Sequence, residues 1–349
     1  MKIVGAASAF PNHVYSQQAI SSALKRIWHD KIQRPDLIDR LHAHCGVERR
    51  HLSRPIEQYE RLQTWGQANT IWIETAEQLG STAICRAITP HGIEPREIDA
   101  LFFTSVTGVS SPSIDARLVN RMMLNPRIKR MPLFGLGCVA GAAGIARAAD
   151  YLRAFPDGIA TLLSVELCSL TWQRDDTRVA NLIATGLFGD GAAAVVLAGA
   201  DTGFDGPEIR ATRSVFYPQT EDVMGWDISE KGFSLVLSPE VANVIESHLA
   251  NDVDTFLADH GLSRDQIGSW IIHTGGPKIL EAVSRALALP DHALDASWDC
   301  LRRVGNLSSA SVLVVLEDFL GRRRPAPGTY SVLAAMGPGF CSEFVLLCW

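Results

Sequence analysis

Three side chains of complementary chemistry stand out along the chain: Cys138 in "GLGCVAGAAG", His273 in "IIHTGGPKIL" and Asn306 in "VGNLSSAS". A thiol, an imidazole and a carboxamide supply a nucleophile, a proton acceptor and an oxyanion donor, a set suited to acyl transfer. Gly135 and Gly137 let the backbone turn sharply before the cysteine, and the small residues 140–144 read as the start of a tightly packed helix. A thiol at a buried helix start lies near unpaired N–H groups and the positive end of the dipole, which favour the thiolate. His273 ends an apolar run and precedes a Gly-Gly turn, and strand ends of α/β folds are where ligand sites collect. Taken alone, Asn306 also fits a helix cap. A lone cysteine fits a small buried hydrophobe, the reading that suits Cys85, Cys300 and Cys348.

The elements that must position these groups repeat along the chain. Residues 91–103, "HGIEPREIDALFF", align with residues 260–272, "HGLSRDQIGSWII", each following a helical pattern. A nearly equal shift lays Cys138 on Asn306, with glycine before and an amphipathic helix after each. Both regions close with a glycine turn and an apolar strand, "GDGAAAVVLAG" and "GPGFCSEFVLLCW". The sequence thus predicts an α/β protein of two similar halves, 1–204 and 205–349, with buried sheets and helices packed on them. A twofold relation between the halves would bring the two helix starts together.

Composition narrows the partners. The 349 residues are 47% apolar and 20% charged, with a formal net charge of −6 and a pI near 5.9. "RIKR" and "GRRRP" are short basic clusters, so no nucleic-acid partner is expected. The seven cysteines form no CxxC pair and no zinc spacing, which points to free thiols in a reducing, cytoplasmic compartment and to no metal. The opening "MKIVGAASAF" reads as a first β-strand, and the longest other apolar run, "GAAAVVLAGA", is too short to span a bilayer.

The motifs "GLGCVAGAAG", "LFGDGAAAVVL", "HTGGPKIL", "GNLSSAS" and "MGPGF" occur in an order that resembles type III polyketide synthases, the chalcone synthase-like branch of the thiolase superfamily. The resemblance runs essentially end to end and includes "SVELCSLT" and "MGWDISEKGFSLVLSPEV". Some features look closest to bacterial alkylpyrone and alkylresorcinol synthases. The resemblance implies a duplicated αβαβα thiolase fold, a homodimer, and no cofactor beyond CoA-thioester substrates. It implies that Cys138 takes an acyl starter from acyl-CoA and that His273 and Asn306 hold the malonyl-CoA thioester as carbon dioxide leaves, with His273 also keeping Cys138 ionised. Phe188 matches a gatekeeper phenylalanine. Leu235 stands where plant members carry a bulkier phenylalanine, and Thr107, Ser111 and Cys168 fall where relatives open a tunnel for an acyl tail, which implies a medium- or long-chain fatty acyl starter and alkylpyrone or alkylresorcinol products. Arg49, Arg50 and Lys278 are the candidates for binding CoA phosphates. Glu166 reads as a buried structural carboxylate, bonded to backbone or water.

Alternatives share parts of this reading. A ketoacyl-ACP synthase of type III shares the three catalytic residue types, but its histidine is normally followed by a different pattern from "HTGGP". A Cys-His-Asn hydrolase explains the three residues but not the repeated halves. A non-catalytic acyl-CoA-binding protein of the same fold would be expected to lose one of the three.

Overall fold

The computed structural model describes residues 1–32 and 34–349. Its strands are β1 (Lys2–Ala9), β2 (His13–Ser16), β3 (Arg49–Leu52), β4 (Ala100–Thr104), β5 (Lys129–Leu133), β6 (Ile159–Leu167), β7 (Asp190–Ala198), β8 (Glu208–Phe216), β9 (Met224–Ser229), β10 (Gly232–Leu237), β11 (Ile267–Ile272), β12 (Tyr330–Gly337) and β13 (Cys341–Cys348). Every residue of β6 and β7 is buried, so these strands must feed apolar layers on both faces. Alternate residues do so. Ala192, Ala194 and Val196 of β7 join one core with Leu163 and Val165 of β6, while Ala193, Val195 and Leu197 join a second with Ala160 and Leu162. Likewise Val332 and Ala334 of β12 enter a third core, and Leu333 and Ala335 face the second.

That second core holds two largely buried helices, Ala140–Ala154 and Ser311–Leu320. The outer cores are closed by helices with one apolar stripe. Helix Trp65–Ile88 buries Ala68, Trp72, Ala76, Leu79, Ala83 and Ala87, a spacing of three and four. Helices Val241–Ala258 and Pro277–Leu287 cover the other side. The result is the five-layered αβαβα arrangement that the resemblance implied.

Strand order repeats. Residues 2–198 run β1-β7-β6-β4-β5 and residues 208–348 run β8-β13-β12-β11. In both sets the first strand is antiparallel to its neighbour, a second antiparallel pairing follows, and the next pairing is parallel. The two sets meet where Lys2 of β1 pairs with Glu208 of β8, making one nine-stranded sheet. One detail differs from the sequence alignment. Counted back from the helix starts at Ala140 and Ser311, Cys138 corresponds to Ser309 rather than Asn306. Cys138 sits inside its short 3-10 turn, Gly137–Val139, whereas Asn306 precedes the corresponding turn, Ser308–Ala310, by two residues.

Candidate active site

Cys138 occupies the turn at the head of helix 140–154 and is 7% exposed. Gly137 has φ +52°, and a Cβ there would sit 2.6 Å from Pro338, so only glycine lets this turn close against the other half. His273 follows β11 and extends its pairing with β12 by one bond, its N–H donating to Ala334 O at 3.0 Å. Asn306 follows helix Asp295–Val304 and is buried. Its backbone bridges Phe188: Asn306 N–H donates to Leu187 O, and Gly189 N–H donates to Asn306 O, each at 2.9 Å.

A chain of contacts links the three. Cys138 Sγ lies 3.6 Å from Ser308 Oγ. The Ser308 N–H donates to Asn306 Oδ1 at 2.7 Å, which fixes the carboxamide oxygen and turns its NH₂ the other way. Asn306 Nδ2 reaches Gly275 O at 3.5 Å, and Gly275 N–H donates to His273 O at 3.0 Å. Ser308 itself has φ +47°, an uncommon conformation for a residue with a side chain. The bond to Asn306 holds it there.

Burial sets the electrostatics. It pushes the Cys138 thiol up to about 12; the Ser308 hydrogen bond pulls the other way and Glu166 adds to the rise. The expected bias toward thiolate at the helix start is therefore outweighed by loss of water. Burial also lowers His273 to about 4. Its Nδ1 is enclosed without a hydrogen-bond partner. Both shifts favour the uncharged forms of Cys138 and His273, the opposite direction for the thiol from that expected at a helix start. Glu166, raised to about 7 by burial, accepts from the Val106 N–H at 3.1 Å and from the hydroxyls of Thr107 at 3.0 Å, Ser105 at 3.3 Å and Ser309. It ties the 105–107 loop to the turn beyond Asn306.

The pocket residues divide. Phe188, Cys168 and Leu235 line one tight cavity of about 10 Å³ with Thr171, Trp172, Asn181, Ala184 and Trp226. Thr107 does not join them: its hydroxyl is used up on Glu166, Trp72 Nε1 and the Leu167 N–H. Ser111 is exposed on the loop after β4 and lines no part of that cavity. Arg50, a candidate for CoA phosphate, is fully buried and donates to Phe188 O at 2.6 Å and Gln17 Oε1 at 3.0 Å. It cannot meet a phosphate from solvent. Arg49 and Lys278 are exposed, the latter at the start of helix Pro277–Leu287. The sequence reading missed Trp226 and Trp172. Trp226 was traceable, because the hairpin around "SEKG" pairs it with Leu235 across β9 and β10.

Comparison with known proteins places this geometry. The family described as FAE1/type III polyketide synthase-like protein matches residues 16–211, and chalcone and stilbene synthases, C-terminal domain, matches residues 208–348. The chain belongs to the type III polyketide synthases. As such it is an acyltransferase that forms carbon–carbon bonds from malonyl-CoA. It is 52% identical to a 1,3,6,8-tetrahydroxynaphthalene synthase of Streptomyces peucetius subsp. caesius, over 98% of this chain and 91% of that protein. It is 32% identical to a phloroglucinol synthase of Pseudomonas fluorescens over 97% of each. Among solved type III polyketide synthases, the 1,3,6,8-tetrahydroxynaphthalene synthase of Streptomyces coelicolor A3(2) superposes with a TM-score of 0.94 at 32% identity, covering 100% of this chain and 99% of that one. No helix among the described residues is long and apolar enough to cross a membrane.

Proposed function

We propose that this synthase loads an acyl group from CoA onto Cys138 and extends it by decarboxylative condensation with malonyl-CoA. The observation that carries the reading is the bonded path from Cys138 through Ser308 and Asn306 to the His273 loop. In loading, the Cys138 proton passes to His273 as sulfur attacks the CoA thioester; the carbon–sulfur bond to CoA breaks, and CoA leaves as its thiol with the proton from His273, which returns to neutral. Two neutral donors, the His273 imidazole and the Asn306 NH₂, then hold the malonyl thioester oxygen. The bond to the carboxylate breaks, carbon dioxide departs, and the electron pair becomes an enolate in a site with little water. The enolate carbon attacks the acyl carbonyl on Cys138, forming the new carbon–carbon bond and releasing the thiolate. The product, now a CoA thioester, reloads for another round. No metal or redox cofactor enters these steps. Two halves, 1–204 and 205–349, supply thiol and donors respectively. A cytoplasmic homodimer fits the exposed Met123 and Phe134 beside edge strand β5.

For the product, we favour a hydroxylated fused aromatic built from malonyl units, the class named for the 52% identical relative. Trp226 and Trp172 crowd the cavity that would otherwise receive an aliphatic starter. A second reading, a medium- or long-chain fatty acyl starter released as an alkylpyrone or alkylresorcinol, is favoured by the small Cys168 and Leu235 in that same wall. Incubation with malonyl-CoA, alone and with acyl-CoAs of graded length, decides by product mass. A hydroxynaphthalene from malonyl-CoA alone supports the first reading. Products that grow with the acyl chain support the second. Absence of carbon dioxide release from malonyl-CoA would sink both and leave a binding protein.

A further inference from the structure

Arg50 is an unusual residue to find at zero exposure. Its two hydrogen-bond partners, Phe188 O and Gln17 Oε1, are both neutral and its Nε has none; the Asp190 carboxylate lies near enough to attract it but makes no bond to it. Taking a guanidinium out of water without a carboxylate partner is costly, so its placement calls for a reason. The reason lies in what it touches. Gln17, held by Arg50, donates in turn to Gly186 O at 2.7 Å, so one fork controls carbonyls on both sides of Leu187. Leu187 and Gly189 are the residues that bond Asn306 through its N–H and C=O. The arginine stem also lies across both segments. A Cβ on Gly305 would be 3.0 Å from Arg50 Cδ, and one on Gly189 would be 3.5 Å from Arg50 Cγ.

We propose that Arg50 is a positioning residue of the active site: by clamping the 186–188 carbonyls it sets the Phe188–Asn306 bridge, and through it the place of the Asn306 carboxamide and the Phe188 ring. The inference rests on the proposed role of Asn306 as an oxyanion donor. A lysine would keep the charge but offers a single point of attachment where the planar fork makes two. Displacing the carboxamide by a fraction of an ångström matters because a misplacement of about 1 Å can cost roughly 10²-fold in rate.

The test compares Arg50→Lys, Gln17→Ala and Asn306→Ala in the full-length enzyme. Each is measured for thermal midpoint, for acyl transfer from butyryl-CoA to Cys138 by intact mass, and for carbon dioxide release from malonyl-CoA. Arg50→Lys is expected to lower kcat for decarboxylation about 10- to 100-fold, with KM and acyl loading within about threefold of the parent. Gln17→Ala, which leaves the guanidinium in place, should move the same way by about threefold or more. A strut with no bearing on the site would instead lower both activities together with the folded fraction. That result, or unchanged decarboxylation in Arg50→Lys, overturns the proposal. Should Arg50→Lys fail to fold, unchanged decarboxylation in Gln17→Ala overturns it. If Asn306→Ala decarboxylates normally, the underlying role of Asn306 falls instead.

Discussion

The heads of the two central helices are built alike and equipped differently. At 137–139 a short 3-10 turn presents a buried thiol whose one side-chain hydrogen bond is to a hydroxyl. At 308–310 the matching turn is threaded with polar bonds. Ser308 N–H and Ser311 Oγ converge on Asn306 Oδ1, and Ser309 Oγ bonds Glu166 and Ser164. On the proposed mechanism, similar strand orders thus deliver one group that must change its bonding partners and one that must not move. Dryness raises the thiol's proton affinity and suits a nucleophile that ionises only as substrate arrives. Dense bonding fixes a donor before the oxyanion forms, so no reorganisation is needed at that moment.

That contrast can be broken outright at the thiol. Cys138→Ala should abolish both acyl loading, read as a mass shift of the protein, and polyketide formation; any retained product would contradict its role as nucleophile. Next in size, Asn306→Ala or His273→Ala should slow malonyl-CoA decarboxylation about 10²- to 10³-fold, in the range for loss of an oxyanion donor. Cys138 alkylation by iodoacetamide should persist in the asparagine variant.

The buried imidazole offers a measure of dryness itself. Below pH 6.5 the unfolded chain's His273 takes a proton that the folded site refuses until about 4. Stability from this group is therefore lost as pH falls through that window, by roughly 3 kcal/mol at the limit. In urea titrations at pH 7 and 4.5, His273→Asn should show a shallower loss than the parent; an equal slope would mean the imidazole is hydrated. The smallest effect is expected from Ser308→Ala. Its hydroxyl pulls the thiol pKa down, so removing it should slow Cys138 alkylation at pH 8 a few-fold, and an unchanged rate would disconnect the two turns.

The sequence singled out Cys138, His273 and Asn306 because each stands in a motif with its own backbone signature. The α/β class followed from the repeated helix–turn–strand pattern, and the layering from the family resemblance; the strand order became visible only in the structure. The sequence carried the pocket less well. Thr107, Ser111 and Cys168 share small size, but size says nothing about direction: Thr107 is spent on Glu166 and Ser111 faces solvent. Arg50 was within reach. In an extended segment neighbouring residues face opposite ways, so Arg49 and Arg50 of β3 could not both point outward. The thiol's raised proton affinity was not legible, because helix-end effects are local while burial depends on how the two halves close over the turn. The alignment of Cys138 with Asn306 was off by three residues because the C-terminal turn begins later relative to its key side chain.

The apolar layer between the sheets is assembled from both ends of the chain: Ile3, Phe102 and Ile145 from one, Leu313, Leu333 and Val345 from the other. During synthesis at about 5–20 residues per second, the first two hundred residues leave the ribosome with one face of helix 140–154 unsheltered. They wait on the order of ten seconds for helix 311–320 to cover it. A nascent chain stalled near residue 204 should accordingly be recovered with chaperones or as aggregate, and release of the last strand should mark the moment it becomes protease-resistant.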